Sequence, residues 1–155
     1  MIVILDSGVL GQLCNPYPSA NRTAIDRWFY QLLVRGVWVV SSEICDYEIR
    51  RGLLLIERQG SKISGISMLD SLALSIDFLP INKQILLTAA EIWAIARETG
   101  QPTADDRNID VDLLICGTWE YLCGNYPGRE IVIATTNVKH LSRFATAVKW
   151  QDISN

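Results

Sequence analysis

The sequence predicts an α/β chain folded as a single three-layer sandwich around a mostly parallel sheet, and three observations lead there. Apolar runs at Ile2 to Leu5 and Val37 to Val40, and the segment Glu130 to Ala134, read as strands of such a sheet. Between them lie segments with apolar residues at three- and four-residue spacing, the period of amphipathic helices. Strands that alternate with helices in this way build parallel sheets with helices on both sides. The 155 residues have the length of one domain, 1–155, able to bury a core without disulfides.

Each element has a local reason. Ile2 to Leu5 is read as a central strand that delivers Asp6 to a Ser7-Gly8 turn. After the Asn15-Pro16-Tyr17-Pro18 loop, Ile25, Trp28, Phe29, Leu32 and Leu33 mark a helix capped by Gly36. Val37 to Val40 forms the second strand, and a helix begins at Ser41-Ser42-Glu43, with either serine as N-cap, and runs to about Leu55. An apolar stretch around Met68 to Leu74 and a short strand over Ile76 to Pro80 follow. Leu86, Leu87, Ala90, Trp93, Ala94 and Arg97 pattern a strong helix ending at Gly100. Gln101 to Asn108 is the one long loop, Ile109 to about Tyr121 the last helix, and Glu130 to Ala134 a strand ending at Thr135-Thr136-Asn137.

Composition excludes several classes of function. A hydrophobic content of 49% and a mean hydropathy of +0.18 rule out a disordered chain, and no apolar run reaches the roughly 20 residues of a membrane span. The opening has no basic segment before a long apolar run, so a cytoplasmic location is expected. Cys14, Cys45, Cys116 and Cys123 form no C-x-x-C pair and are expected to be reduced core thiols. With 17 acids against 14 bases and a net charge of -3, the chain is not built to wrap nucleic acid by global charge. There is no G-x-G-x-x-G or P-loop, and His140, the sole histidine, has no Ser or Cys partner pattern.

Three acids stand where periodicity calls for buried side chains. Asp6 ends a buried strand, the usual address of a ligand site in such sheets, although an Asp-Ser-Gly sequence also suits a turn cap. Glu48 shares a helix face with Ile44 and Tyr47; its plainer explanation is an ion pair with Arg51 or Arg50. Asp112 begins a face that continues through Ile115, Cys116 and Trp119, and the plainer explanation there is an acid favoured by a helix N-terminus. Of Asp105, Asp106 and Asp110, the last is the best auxiliary ligand, provided the helix starts between it and Asp112. An ionised acid costs several kcal/mol when buried alone, so acids gathered in one place point to a divalent cation, and an all-oxygen set favours Mg²⁺ or Mn²⁺. Phosphoryl hydrolysis is the natural chemistry of such a centre.

Four ordered blocks then carry a resemblance that covers nearly the whole chain: Ile4-Leu5-Asp6-Ser7-Gly8-Val9-Leu10, Tyr47-Glu48-Ile49-Arg50-Arg51-Gly52, Asp110-Val111-Asp112-Leu113-Leu114-Ile115 and Ala134-Thr135-Thr136-Asn137-Val138-Lys139-His140-Leu141. In these the chain resembles a PIN domain, specifically the VapC-like toxin ribonucleases of toxin-antitoxin pairs. The resemblance implies a metal-dependent endoribonuclease that leaves 5′-phosphate and 3′-hydroxyl ends. Asp6, Asp112 and Glu48 would hold Mg²⁺ or Mn²⁺, with Asp110 and Asn137 in support from the edge, Asn137 at a position where some members carry a fourth acid; Glu48 would orient or deprotonate the attacking water, and Thr135 or Asn137 would position water or phosphate. It further implies an RNA substrate, a small antitoxin partner and a homodimer. Arg50, Arg51, Lys139 and Arg143 are the candidates for RNA backbone contacts. The chain departs from the family pattern at His140, where an acid often stands, and at Cys116-Gly117, where small alanines are usual.

Two other functions compete with this one. A non-catalytic PIN-like module could keep the acids only for a structural cation or a partner, although all three positions remain carboxylates. An aspartyl-phosphate phosphatase would use Asp6 as nucleophile, but the haloacid dehalogenase group places a second Asp two residues later, and here that residue is Gly8.

Overall fold

A computed structural model of the chain describes residues 1–60, 65–100 and 110–153. The elements run β1 (Ile2–Leu5), α1 (Ser7–Leu13), α2 (Ala20–Val34), β2 (Trp38–Ser42), α3 (Glu43–Arg58), α4 (Ile66–Leu72), β3 (Asp77–Leu79), α5 (Lys83–Glu98), α6 (Val111–Asn125), β4 (Ile131–Thr135), α7 (Val138–Leu141) and β5 (Ala147–Lys149), closed by a 3₁₀ turn at Trp150–Asp152. The sheet order is β3-β2-β1-β4-β5 and every pairing is parallel. A mostly parallel sheet was expected, and the described sheet is parallel throughout.

Side-chain alternation along the central strands makes the three layers. Ile2 and Ile4 of β1 and Ile131 and Ile133 of β4 enter a core shared with α5 and α6. Val3, Leu5, Val132 and Ala134 enter the opposite core, shared with α2 and Trp150. Both faces of β1 are therefore buried, which is why its sequence is aliphatic at every position and not at alternate ones.

The strand order also fixes where a site can form. The chain builds outward from β1 through β2 to β3, then returns to the other side of β1 with β4 and β5. The reversal falls between β1 and β4, whose registered ends are Leu5 and Ala134, and the crevice beyond those ends is where open α/β sheets bind ligands.

Several sequence expectations are corrected. The Ser7-Gly8 turn is the first turn of helix α1. Ser41 is a strand residue, not a cap: its hydroxyl donates to the carbonyl of Leu5 at 2.8 Å. Ser42 holds the N-cap position without a side-chain cap bond, and α3 continues to Arg58, past the expected end at Leu55. The apolar stretch near Met68 is helix α4, and α7, β5 and the closing 3₁₀ turn had no counterpart in the sequence reading.

Helix α5 forms where expected but turns a different face inward. Ile85, Ala89, Ile92 and Ala96 are buried, whereas Leu86, Leu87 and Trp93 are 51%, 57% and 37% exposed. Gly117 of α6 explains the choice, because a Cβ there would lie 2.8 Å from the carbonyl oxygen of Ile85. The α5 and α6 backbones thus approach more closely than a side chain at 117 allows, and Ile85 is the residue brought to the contact. The expected loop Gln101 to Asn108, with Asp105 and Asp106, lies outside the described residues.

Candidate active site

Asp6 performs two tasks at the end of β1. It is the N-cap of α1, its Oδ1 accepting the Val9 N–H at 2.7 Å, and its Oδ2 accepts a hydrogen bond from the Thr135 hydroxyl at the end of β4. The cap and the site, which the sequence posed as alternatives, therefore coincide on one carboxylate. Asp6 is only 5% exposed. Burial is the chief cause that raises its carboxyl above the ordinary value; the bonds from Thr135 and Val9 oppose it, and the charge of Asp112 adds to it.

Asp112 enters from the first turn of α6, whose N-cap is Asp110. The Asp110 carboxylate accepts the Leu113 N–H at 3.3 Å, so the helix does start between the two acids. Asp110 borders an apolar groove on the α5 side and is absent from the walls of the acidic cavity. Its influence on the site is electrostatic: burial first, then the Asp110 charge, raise the Asp112 carboxyl, with Glu48 adding to the shift and His140 opposing it. His140 of α7 stands with Nδ1 3.6 Å from Asp112 Oδ2.

Glu48 arrives from α3, half-buried, beside Ile49 at the same cavity. The expected face Ile44-Tyr47-Glu48 is corrected in one member: Tyr47 is 57% exposed, and the buried residue one turn before Glu48 is Cys45. Glu48 Oε1 lies 3.7 Å from an Arg51 nitrogen, so the plainer explanation of this acid is realised as well. A contact of that length with an exposed arginine holds a carboxylate only weakly. Arg50 is a different case. It donates two hydrogen bonds to Asp46, at 2.9 and 2.8 Å, and a third to Asp70 at 2.9 Å, so its charge is spent within the fold.

Together Asp6, Glu48 and Asp112 line one cavity of about 320 Å³, with Ser7, Gly8, Thr136 and Asn137 also in its walls. Thr135, expected to meet water or phosphate, is instead fully buried beneath it. Its hydroxyl donates to Asp6 and accepts the Asn137 N–H at 2.8 Å, so it fixes the acid and the turn in place. Asn137 is exposed at the start of α7. Sequence reasoning missed Thr136, whose Oγ1 would lie 2.3 Å from a Cβ on Gly8. Gly8, with no Cβ, leaves the space that hydroxyl occupies; the Asp-Ser-Gly and Thr-Thr-Asn turns were the available signal.

The donor set suits a hard divalent ion in kind: three carboxylates from three helical segments or caps in one cavity, where the charge of Asp112 adds to the rise of Asp6 and that of Glu48 to the rise of Asp112, a repulsion that a cation would relieve. Among the described residues, no three His, Cys, Asp or Glu side chains stand close enough to hold an ion as placed. The cysteines do not compete for it. All four are free thiols, and burial pushes Cys14 and Cys116 up to about 12 and Cys45 up to about 11, so they stay protonated. Lys139 and Arg143 are exposed near α7, and Arg51 is exposed on α3 beside the Tyr47 ring.

No protein-family model matches the chain, and no curated protein does. Solved structures match along almost its full length. A chain of the VapBC2 structure from Rickettsia felis, bound to a DNA fragment from its promoter, aligns with a TM-score of 0.67 at 18% identity over 97% of this chain and 99% of that one. A chain of the VapBC-1 structure from nontypeable Haemophilus influenzae aligns with a TM-score of 0.67 at 21% identity over 98% and 100%. The FitAcB structure from Neisseria gonorrhoeae gives a TM-score of 0.62 at 19% identity over 97% and 99%. The chain therefore has a PIN-like fold, in the arrangement found in the VapBC and FitAcB structures.

Proposed function

We propose that this protein is a Mg²⁺- or Mn²⁺-dependent endoribonuclease and the toxin of a toxin-antitoxin pair. The observation that carries the reading is the convergence of Asp6, Glu48 and Asp112 on one cavity at the β1/β4 switch point of a PIN-like fold. Asp6 and Asp112 would hold the ion, with Glu48 completing the set once it leaves Arg51. When bound there, such an ion would supply Lewis-acid polarisation of a phosphodiester oxygen and lower the pKa of a water. Glu48, half-buried in the lining of the same cavity, would orient the attacking water and take its proton. Thr135 keeps Asp6 from turning, and Thr136 and Asn137 offer polar contacts to water or phosphate from the cavity wall. Arg51, Lys139 and Arg143 would bind the RNA backbone, a task for which Arg50 is already committed to Asp46 and Asp70.

The partners proposed with this activity are a small antitoxin and a second copy of the chain. The VapBC and FitAcB complexes among its structural neighbours support the antitoxin. The test is calorimetric titration of Mn²⁺ into metal-stripped protein and its Asp112→Asn variant, then incubation of both with total RNA and analysis of fragment ends. Binding and cleavage that disappear together in the variant establish the nuclease. Binding without cleavage of any RNA would leave the non-catalytic module in its place.

A further inference from the structure

The registers of the central strands set one polar row across the carboxyl end of the sheet. Leu5 pairs with Ser41 of β2 and with Ala134 of β4, so one residue further Ser42, Asp6 and Thr135 stand abreast. They lie on the face that Val40, Ile4 and Ile133, two residues earlier on each strand, turn into the core shared with α5 and α6. From the β4 side Thr135 donates its hydroxyl to Asp6. On the β2 side stands Ser42, 0% exposed, which holds the N-cap position of α3 but makes no side-chain cap bond. Serine is favoured at that position because its oxygen accepts a helix N–H. Here the hydroxyl is buried without a hydrogen-bond partner among the described residues.

A second orphan belongs to the same neighbourhood. Ser7, in the wall of the acidic cavity, also buries its hydroxyl unpartnered. The fully buried Cys45 links the two serines, because the Ser7 hydroxyl and the Ser42 N–H are among the polar groups around its thiol, and the charge of Asp6 reaches it. A thiol is too weak a hydrogen-bonding group to satisfy either hydroxyl. Buried polar atoms are paired with few exceptions, and internal waters serve those that the fold leaves over, each held by about two to four polar groups.

We propose that Ser42 is a positioning residue for Asp6: with Ser7 it holds one internal water on the β2 side of the carboxylate, opposite the brace from Thr135. The water accepts from both serine hydroxyls and turns a proton to Asp6. The carboxylate is then held from both neighbouring strands and keeps its orientation when the cavity takes up or releases a ligand. The inference rests on the catalytic reading of Asp6 above and extends it to a residue outside the cavity.

The test compares wild type with Ser42→Ala, Ser42→Thr, Ser7→Ala and the double alanine variant. Each is followed by thermal unfolding without metal and by the initial rate of total-RNA cleavage in Mn²⁺, well below the melting temperature. A buried hydroxyl that binds nothing is better replaced by a methyl group, so an idle Ser42 would leave Ser42→Ala melting at the same temperature or higher. The shared water instead predicts a fall of about 2 to 4 °C, and a double variant that falls by less than the two single changes added together. Cleavage should drop about tenfold in Ser42→Ala and return in Ser42→Thr, which restores the hydroxyl. A crystal structure of wild type should place the water within about 3 Å of both serine oxygens. An unchanged or raised midpoint in Ser42→Ala, strictly additive losses, or no water between the serines would overturn the shared site. A lowered midpoint with an unchanged cleavage rate would overturn the positioning role. If wild type cleaves no RNA, the nuclease reading falls, while the melting temperatures and the crystal structure decide the water on their own.

Discussion

Leu5 and Asp6 are adjacent in sequence and nearly equally buried, at 0% and 5% exposure, yet they represent opposite regions of this molecule. The body of the central strands is apolar at every position, and burying it supplies much of the driving force for folding, about 25 cal/mol per Å² of apolar surface removed from water. The C-terminal edge, one residue further, buries Asp6 and Thr135 and brings Asp112 and Glu48 close by. There burial raises carboxyl groups and like charges oppose one another, so the edge costs stability in the metal-free protein. The contrast teaches that the strand body supplies stability while the edge gives some of it up, a cost that the proposed metal would offset on binding.

Asp6→Asn sharpens the comparison most. It should lower RNA cleavage by at least about 10³-fold, some 4 kcal/mol in the transition state. Its effect on the metal-free fold should have the opposite sign. Because the folded-state value of Asp6 is raised, the native protein binds more protons than the unfolded chain as pH climbs from the ordinary 3.8, and stability falls through that window. The variant escapes this loss, so its urea midpoint at pH 7 should equal or exceed that of wild type, with the advantage shrinking toward pH 4. An advantage independent of pH would contradict the assignment.

Ile4→Ala probes the strand body. Ile4 is fully buried, and its truncation should cost about 3 to 4 kcal/mol, or about 10 °C in melting temperature, at any pH. Thr135→Val keeps the shape but strands an Asp6 oxygen and the Asn137 N–H. A loss of about 1 to 3 kcal/mol is expected in chemical denaturation, together with a further rise of the Asp6 carboxyl readable by NMR titration. Arg51→Ala should be the mildest change, within about 0.5 kcal/mol in stability, because its contact with Glu48 is long and exposed. Mn²⁺ affinity that falls in that variant would mean that the arginine positions Glu48 and does not compete for it.

Legibility differed between the same two regions. Ile2 to Leu5 announced a doubly covered strand because composition alone carries that information, and Asp6 was conspicuous for the same reason. Thr135 and Thr136 could not be ranked, since adjacent residues on a strand end point to opposite sides. Register turned the first down to Asp6 and left the second in the cavity wall. Arg50 and Arg51 looked equivalent until α4 supplied Asp70 to one of them. Helix α7 and strand β5 were missed because four and three residues are too few for a periodicity to register.

By itself the sequence determined the fold class, the position of the central strands and the acids Asp6, Glu48 and Asp112, because burial patterns and misplaced charges are local properties of a chain. Tertiary structure alone decided which face of α5 is buried, that Ser41 and Thr135 brace the end of β1, that Glu48 meets Arg51, and that His140 stands beside Asp112. Those are contacts between segments far apart in sequence or matters of side-chain direction. They are fixed by backbone approach, such as that of α5 to Gly117, and by the order in which parallel strands assemble around β1.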